Sequence, residues 1–391
     1  MAGVDTATVA EAIRRHGEAF LRTHAASAEV RRLMAVLPLC RTAALGGHLH
    51  RCDHCGHEEP RYNSCGNRHC PNCQVLARET WLAKQEASLL EVPYFHMVFT
   101  LPAELQPLIL QNKKACYTLL FQSVAKTLHT FGRDPRHGFE GQLGFTCVLH
   151  TWNQTLGAHA HLHVLIPAGA LSEDGKTYRR AGKGKWLFPV RALSRVYRAI
   201  FLKGLAKLHR KGKLEFHGKL EGPRDSLAFQ SLVDPLYQKE WVVFAKRPFA
   251  GPRQVLAYLG RYTHKVGIAN QRILDVSEQT VTFRHRDPKD PARKKTLTLE
   301  GHEFLRRFFL HTLPAGFTRI RHYGYLGNAT RKKAVAHIRD LIGQTAPPPE
   351  TETAAERIER VYGVNLRQCA RCKTGRMHPC GEIHPRRGQA P

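Results

Sequence analysis

The stretch from Cys40 to Cys73 constrains the fold most. It carries Cys52-x2-Cys55 and Cys70-x2-Cys73, separated by fourteen residues, in a composition of Cys, His, Gly and Asn with little apolar content. Such a segment cannot build a core of its own without a metal. Each C-x2-C forms a knuckle that presents two thiolates, and two knuckles complete a tetrahedral zinc site with no open position. The expected ligands are therefore Cys52, Cys55, Cys70 and Cys73, with Cys65, His69, His54 and His57 close enough in sequence to substitute. A closed site of this kind implies scaffolding or DNA contact rather than chemistry. The tail holds a second set, Cys369-x2-Cys372 followed by Cys380 and His384, which could take another zinc. Cys40, Cys116 and Cys147 are read as buried or inert thiols.

Charge sets the partner. Sixty Lys and Arg against 32 Asp and Glu give a formal +28, spread along all 391 residues. A polyanion is the natural counterpart, and nucleic acid comes before membrane because no long basic amphipathic helix stands out. The opening residues lack the apolar run of a secretion signal, and no uninterrupted apolar window of about 18 residues occurs. The expected location is the cytoplasm, with the nucleoid as the site of action; there the 11 cysteines serve as metal ligands or free thiols.

The chain length implies one large domain with appended modules. Thr6 is expected to cap the first of two short helices over residues 1–38, ahead of a zinc-binding module over 39–80. A helix-like "ARETWLAKQEASLLEV" precedes the strand "YFHMVFTLP"; "GFTCVLHTW", "HLHVLIP", "EWVVFAKRPF" and "TVTFRHRD" are further strands. Helical segments such as "RALSRVYRAIFLKGLAKLHRKGK" and "PRQVLAYLGRYTHKV" lie between them. The pattern predicts an α+β sheet domain over 90–343, a linker over 344–357 and a Cys/His tail over 358–391.

Within "GAHAHLHVLIP", histidines occupy every second position and run into an apolar strand. With 24 histidines in the chain, H-x-H pairs are commonplace, so the context gives this one its weight. Residues two apart in a strand share a face, so His159, His161 and His163 line one side while Leu162 and Val164 pack the other. Two same-face imidazoles on a rigid strand make a fixed half of a metal site. In a basic chain, phosphodiester chemistry gives such a site a purpose, provided a nucleophile lies within reach of the phosphate. Tyr258 and Tyr262, four apart in a helix opened by Pro252, could both approach one site. Val255, Leu259 and Val266 fall at neighbouring angles, so the same tyrosines could instead border the core.

Taken together, "HRCDHCGHEEPRYNSCGNRHCPNCQ", "HTWNQTLGAHAHLHVLIPAGAL", "YLGRYTHKVGIAN" and "FTRIRHYGYLGNATRKK" resemble, in order and spacing, the two-tyrosine HUH transposases of rolling-circle insertion sequences of the ninety-one family. The resemblance covers nearly the whole chain. It implies a mainly antiparallel HUH nuclease sheet with flanking helices, the histidines on a central strand and the tyrosines on a facing helix. It also implies that His161 and His163 hold a catalytic Mg²⁺ or Mn²⁺, with His159 as an accessory ligand and Gln154, then His96, as candidates for the third polar side chain. Tyr258 or Tyr262 would attack the scissile phosphate and leave a 5′-phosphotyrosine and a free 3′-OH, so that strand joining needs no nucleotide cofactor. Arg261, His264 and Lys265 could offset the charge of a phenol whose pKa is otherwise near 10.

The partners implied are single-stranded DNA at the element's ends and the target DNA. Basic segments with aromatics fit that role: Arg179, Arg180, Lys183 and Lys185 in "YRRAGKGKW", Arg261 beside the tyrosines, and Arg319, Arg321, Arg331, Lys332 and Lys333 in "RIRHYGYLGNATRKK". A plasmid replication initiator or relaxase of the same chemistry is one alternative. The other is a non-catalytic zinc-ribbon DNA-binding regulator, which phenylalanine at both tyrosines would leave untouched.

Overall fold

The computed structural model describes residues 7–181, 187–246, 249, 254–255, 260, 267–287, 290, 292–348 and 351–385. The architecture is α+β and its sheets are antiparallel. At the centre is a five-stranded sheet of β3 (Tyr94–Thr100), β5 (Phe145–Trp152), β6 (Ala158–Pro167), β9 (Val243–Ala245) and β13 (Ile320–Tyr323), in the order β13-β5-β6-β3-β9. The histidine strand β6 is thus the middle strand, and all four pairings are antiparallel. A separate three-stranded sheet holds β4 (Gly141–Leu143), β7 (Gly169–Ser172) and β8 (Tyr178–Arg180) in the order β4-β7-β8.

Alternation decides which face is dry. Phe95, Met97 and Phe99 of β3, Phe145, Cys147 and Leu149 of β5, and Leu162, Val164 and Ile166 of β6 enter one large core. The helices Lys113–Arg133 and Val190–Arg210 close that core with Cys116, Tyr117, Leu120, Phe121, Val124 and Leu128 on one and Leu193, Tyr197, Phe201 and Leu205 on the other, at the three-and-four spacing of an apolar helix face. The opposite face of β6 carries His159, His161, His163 and Leu165. Leu165 joins a smaller cluster with Tyr94, Leu90, Val255, Tyr325 and Ile338, against which Trp81 and Leu82 of the helix Pro71–Glu86 pack. Among the described residues no helix is long and apolar enough to cross a membrane.

A second body is built from distant parts of the chain. The N-terminal helices Val9–Thr23 and Ala28–Val36 share a core with the helix Gly301–Leu310 and with the three-stranded sheet β10 (Ile273–Val276), β11 (Thr280–Arg286) and β12 (Lys294–Glu300). Its dry residues include Ile13, Phe20, Val281, Phe283, Phe304 and Phe309. Thr8 caps the first helix, accepting from the Glu11 backbone N–H; the Thr6 expected there lies outside the described residues.

The tail also departs from expectation. The helix Ala354–Tyr362 starts inside the expected linker, with a capping box between Thr353 and Glu356. Arg360 pairs with Glu352 at 2.7 Å and with Glu79 of the helix Pro71–Glu86 at 3.0 Å. The last strand, β14 (Met377–Ile383), then pairs with β1 (Gly47–Cys52), which on its other side pairs with β2 (Glu58–Tyr62). The tail is one sheet with the N-terminal module rather than a separate appendage.

Candidate metal centres and their place in the fold

His161 and His163 sit where the strand reading puts them, on one face of β6. The third imidazole that joins them is His150 of β5, directly opposite His161 in the ladder. One ring nitrogen from each of His150, His161 and His163 lies within 4.8 Å of the others. His150 is buried and stacks on Trp152 at 4.6 Å between centroids. Its distance from the pair in sequence hid it, although the short turn after Trp152 sets the register that makes it their neighbour.

The candidates for the third position are placed elsewhere. Gln154 is exposed in the turn between β5 and β6, where its carbonyl accepts from Arg272 at 2.7 Å. His159 stays outside the three-imidazole group, and its backbone carbonyl accepts from Nδ1 of His161 at 2.8 Å. His96 on β3 contacts Nδ1 of His163 through its own Nε2 at 3.0 Å. The His159 carbonyl fixes one tautomer: His161 donates its Nδ1–H there, which leaves its Nε2 lone pair facing Nε2 of His163 at 3.2 Å. Together with the His150 ring nitrogen, these two converge closely enough to hold a metal ion.

Burial reinforces this. It pulls His161 down to about 4 and His96 down to about 3 from an ordinary 6.5, so both rings are neutral near pH 7. A set of neutral imidazoles suits Mn²⁺ or Zn²⁺ better than Mg²⁺, which prefers oxygen. His96 holds His163 in place rather than converging on the group itself. Exchanging His96 for alanine is expected to weaken metal binding by about 10- to 100-fold while leaving a measurable site, as read by Mn²⁺ titration.

Other partly or fully buried histidines share the depressed state. His69 falls to about 3, and His311 and His322 fall to about 4, in each case chiefly by burial. The unfolded chain binds protons at these rings from about pH 6.5 downward, whereas the folded chain binds them only near pH 3 to 4. Folding stability is therefore full above about pH 6.5 and is lost progressively as pH falls toward 4, by several kcal/mol in total on an order-of-magnitude count. Urea midpoints that stay constant between neutral pH and about pH 5 would contradict this expectation.

The cysteines converge on two groups, and here the structure corrects the sequence reading. Cys70 and Cys73 join Cys40 and Cys65, while Cys52 and Cys55 join Cys369 and Cys372. The two knuckles expected to form one site thus stand in different groups, and the first group also brings together Cys40, buried as read, and Cys65, read as a possible substitute ligand. In the first group Cys73 lies 3.6 Å from both Cys40 and Cys65. A tetrahedron with Zn–S of about 2.3 Å has S···S edges of about 3.8 Å, close to this spacing and far from a disulfide bond. Cys40 and Cys70 are also part of the core formed by the N-terminal helices. His69 is excluded from this group: it is turned away and accepts from the Leu313 N–H at 3.1 Å. Cys380 is exposed and donates to the Leu49 carbonyl at 3.4 Å, and the exposed His384 is likewise outside the group. Cys116 and Cys147 are fully buried in the main core, as expected.

Tyr258, Tyr262, Arg261, His264, Lys265, Lys183 and Lys185 lie outside the described residues. The described neighbours of the tyrosines are placed on the histidine face: Val255 is buried with Leu165 and Tyr94, and Gly260 lies against Leu82, 3.0 Å from where a β-carbon would stand. The basic residues divide. Arg180, Lys332 and Lys333 are exposed, and Arg179 pairs with Glu140. Arg319 is instead drawn inside and hydrogen-bonds Gln74, burial lowering its pKa to about 10. Arg321 covers the rings of Phe121 and Phe317 at 4.3 and 5.0 Å, and Arg331 reaches Gln85 at 3.3 Å.

Comparison with known proteins agrees with this layout. Residues 144–334 match a family model described as "Putative transposase", and residues 12–101 match one described as "Transposase zinc-binding domain". The chain is 48% identical over 374 residues to "Putative transposase y4qJ" of Sinorhizobium fredii, covering 94% of each chain. It is 27% identical over 320 residues to the "Transposase for insertion sequence element IS801" of Pseudomonas savastanoi pv. phaseolicola, covering 79% of this chain and 73% of that one. With histidines grouped on the sheet within the first matched region and a cysteine group within the second, the chain belongs to the transposases of the insertion-sequence ninety-one family.

Proposed function

We propose that this transposase cuts and rejoins single-stranded DNA in rolling-circle transposition, using a tyrosine as nucleophile beside the His150, His161 and His163 group. The observation that carries the reading is the convergence of three imidazoles, two from the middle strand of an antiparallel sheet and one from its neighbour β5, with His161 oriented by the His159 carbonyl. The packing of Val255 and Gly260, which flank Tyr258, on that same face supports a nearby nucleophile.

His150, His161 and His163 would hold a divalent cation, Mn²⁺ in preference to Mg²⁺ for an all-imidazole set. When bound, it supplies Lewis-acid polarisation of the scissile phosphate. The phenol oxygen of Tyr258 or Tyr262 attacks phosphorus as its proton is lost; the P–O3′ bond breaks, leaving a 5′-phosphotyrosine and a 3′-hydroxyl. A 3′-hydroxyl of another strand then attacks the phosphotyrosine, restoring the phosphodiester and the phenol without nucleotide hydrolysis. Two tyrosines allow one strand to be held while a second is cut. His96 and the His159 carbonyl orient the rings, and the exposed Arg180, Lys332 and Lys333 serve the DNA backbone. Cys40, Cys65, Cys70 and Cys73 would hold a structural zinc, and the site of action is chromosomal DNA in the cytoplasm.

The test is incubation with Mn²⁺ and labelled single-stranded DNA bearing the element's own ends, followed by a denaturing gel and mass spectrometry. A covalent adduct on Tyr258 or Tyr262 that disappears when both become phenylalanine, with DNA binding retained, is the expected result. DNA binding with no adduct at all would turn the reading toward a non-catalytic DNA-binding regulator.

A further inference from the structure

We propose that Cys52, Cys55, Cys369 and Cys372 form a second zinc site, closed by two segments distant in the chain and independent of the strand-cutting chemistry. These sulfurs lie within 4.8 Å of one another, although they come from segments more than 300 residues apart. Cys52 is 3.7 Å from Cys372 and Cys55 is 3.8 Å from Cys369, the edge length of about 3.8 Å that a zinc tetrathiolate requires.

The two C-x2-C turns have the same geometry. In one, the Gly56 N–H returns to the Cys52 carbonyl at 3.2 Å; in the other, the Lys373 N–H returns to the Cys369 carbonyl at 3.0 Å. The residue after the second cysteine is left-handed in both, with φ +67° at Gly56 and +62° at Lys373. A lysine in that conformation costs of order 1 kcal/mol, so something must hold the turn. The Gly375 N–H also donates to the Cys372 sulfur at 3.3 Å, as amides do to a metal thiolate. Gly375 admits no side chain, because a β-carbon there would come within 2.4 Å of the Cys52 sulfur.

Energetics point the same way. Among the described residues, the hydrophobic cluster of this unit is no more than Cys52, Cys369 and Met377, with Cys372 packed against them. The strands β2 and β14 are largely exposed, and a three-stranded sheet with so little apolar area does not stand alone. Four thiols meeting at the one dry point of a polar sheet is the arrangement in which a metal replaces the missing core. The docked tail supplies the approach: Arg61 donates to the Leu366 carbonyl at 2.7 Å and Arg41 lies over the Tyr362 ring at 5.6 Å.

In a His161→Ala/His163→Ala background, which removes the histidine group as a zinc ligand set, the full chain purified with Zn²⁺ is expected to carry two tightly held zinc ions in native mass spectrometry. In the same background the Cys369→Ser/Cys372→Ser double variant should carry one, and Cys380→Ser should keep two. Should the double variant fail to fold, alkylation of the wild-type chain decides. Cys55 and Cys380 are both exposed, but Cys55 should react at least about tenfold more slowly until a strong chelator is added, and Cys52, Cys369 and Cys372 should become reactive with it. Two zinc ions retained by the folded double variant, or Cys55 alkylated as fast as Cys380, would overturn the proposal.

Discussion

Exchanging His163 for alanine is expected to reduce cleavage of single-stranded DNA by roughly 1000-fold or more. His163 meets neighbours on both ring nitrogens, Nε2 facing His161 at 3.2 Å and Nδ1 meeting His96 at 3.0 Å, and its ring lies 4.5 Å from that of His150. Its loss removes one donor of the group and leaves His96 without that partner, a local cost of about 1–3 kcal/mol. Metal polarisation of a phosphate contributes several kcal/mol to such a reaction, and each 1.36 kcal/mol is about tenfold in rate. The same exchange should leave DNA binding nearly intact, because affinity rests on phosphate contacts by cations elsewhere. The check is a pair of measurements, single-turnover cleavage and filter binding, with Mn²⁺-induced thermal stabilisation as a third readout that the variant should lose. Cleavage within about tenfold of wild type would remove His163 from the mechanism.

The second large effect concerns stability. Cys70→Ser is expected to cost more than about 4 kcal/mol and one bound zinc. Cys70 joins Cys40, Cys65 and Cys73, and it is also buried in the core shared by the N-terminal helices and the helix Gly301–Leu310. A structural zinc contributes on the order of 10 kcal/mol in isolated zinc domains, so even partial transfer of that value to this body exceeds an ordinary core substitution. Denaturant unfolding of the variant, and of wild type after prolonged chelation, should show the same early transition, while the large core on β6 unfolds later. If Cys70→Ser kept its metal content and its first transition, the grouping of Cys70 with Cys40, Cys65 and Cys73 would be refuted.

Local patterns were the legible part of this fold. Alternation in "YFHMVFTLP", "GFTCVLHTW" and "HLHVLIP" marks β3, β5 and β6, and it places His161 and His163 on the face opposite Leu162 and Val164. What spacing cannot carry is partnership across the chain. A C-x2-C announces a knuckle but not its mate, so Cys52 and Cys55 were matched with the nearest pair instead of with Cys369 and Cys372, which a strand at the far end delivers. His150 was within reach in principle: a short turn at 153–157 folds β5 back on β6, and counting outward from it sets His150 opposite His161. The packing of the N-terminal helices on Gly301–Leu310 had no sequence signal, because two apolar faces fit many partners.

The pairing of β14 with β1 has a consequence for biosynthesis. β1 is the middle strand of its sheet, yet one of its two neighbours, β14, is made more than 300 residues after it. While the rest of the chain emerges and folds from its N-terminal side, β1 keeps an open edge and Cys52 and Cys55 wait for partners. A chain that stopped short of β14 would leave that edge uncovered and Cys52 and Cys55 without Cys369 and Cys372, so the N-terminal module is completed only once that distant segment has been made.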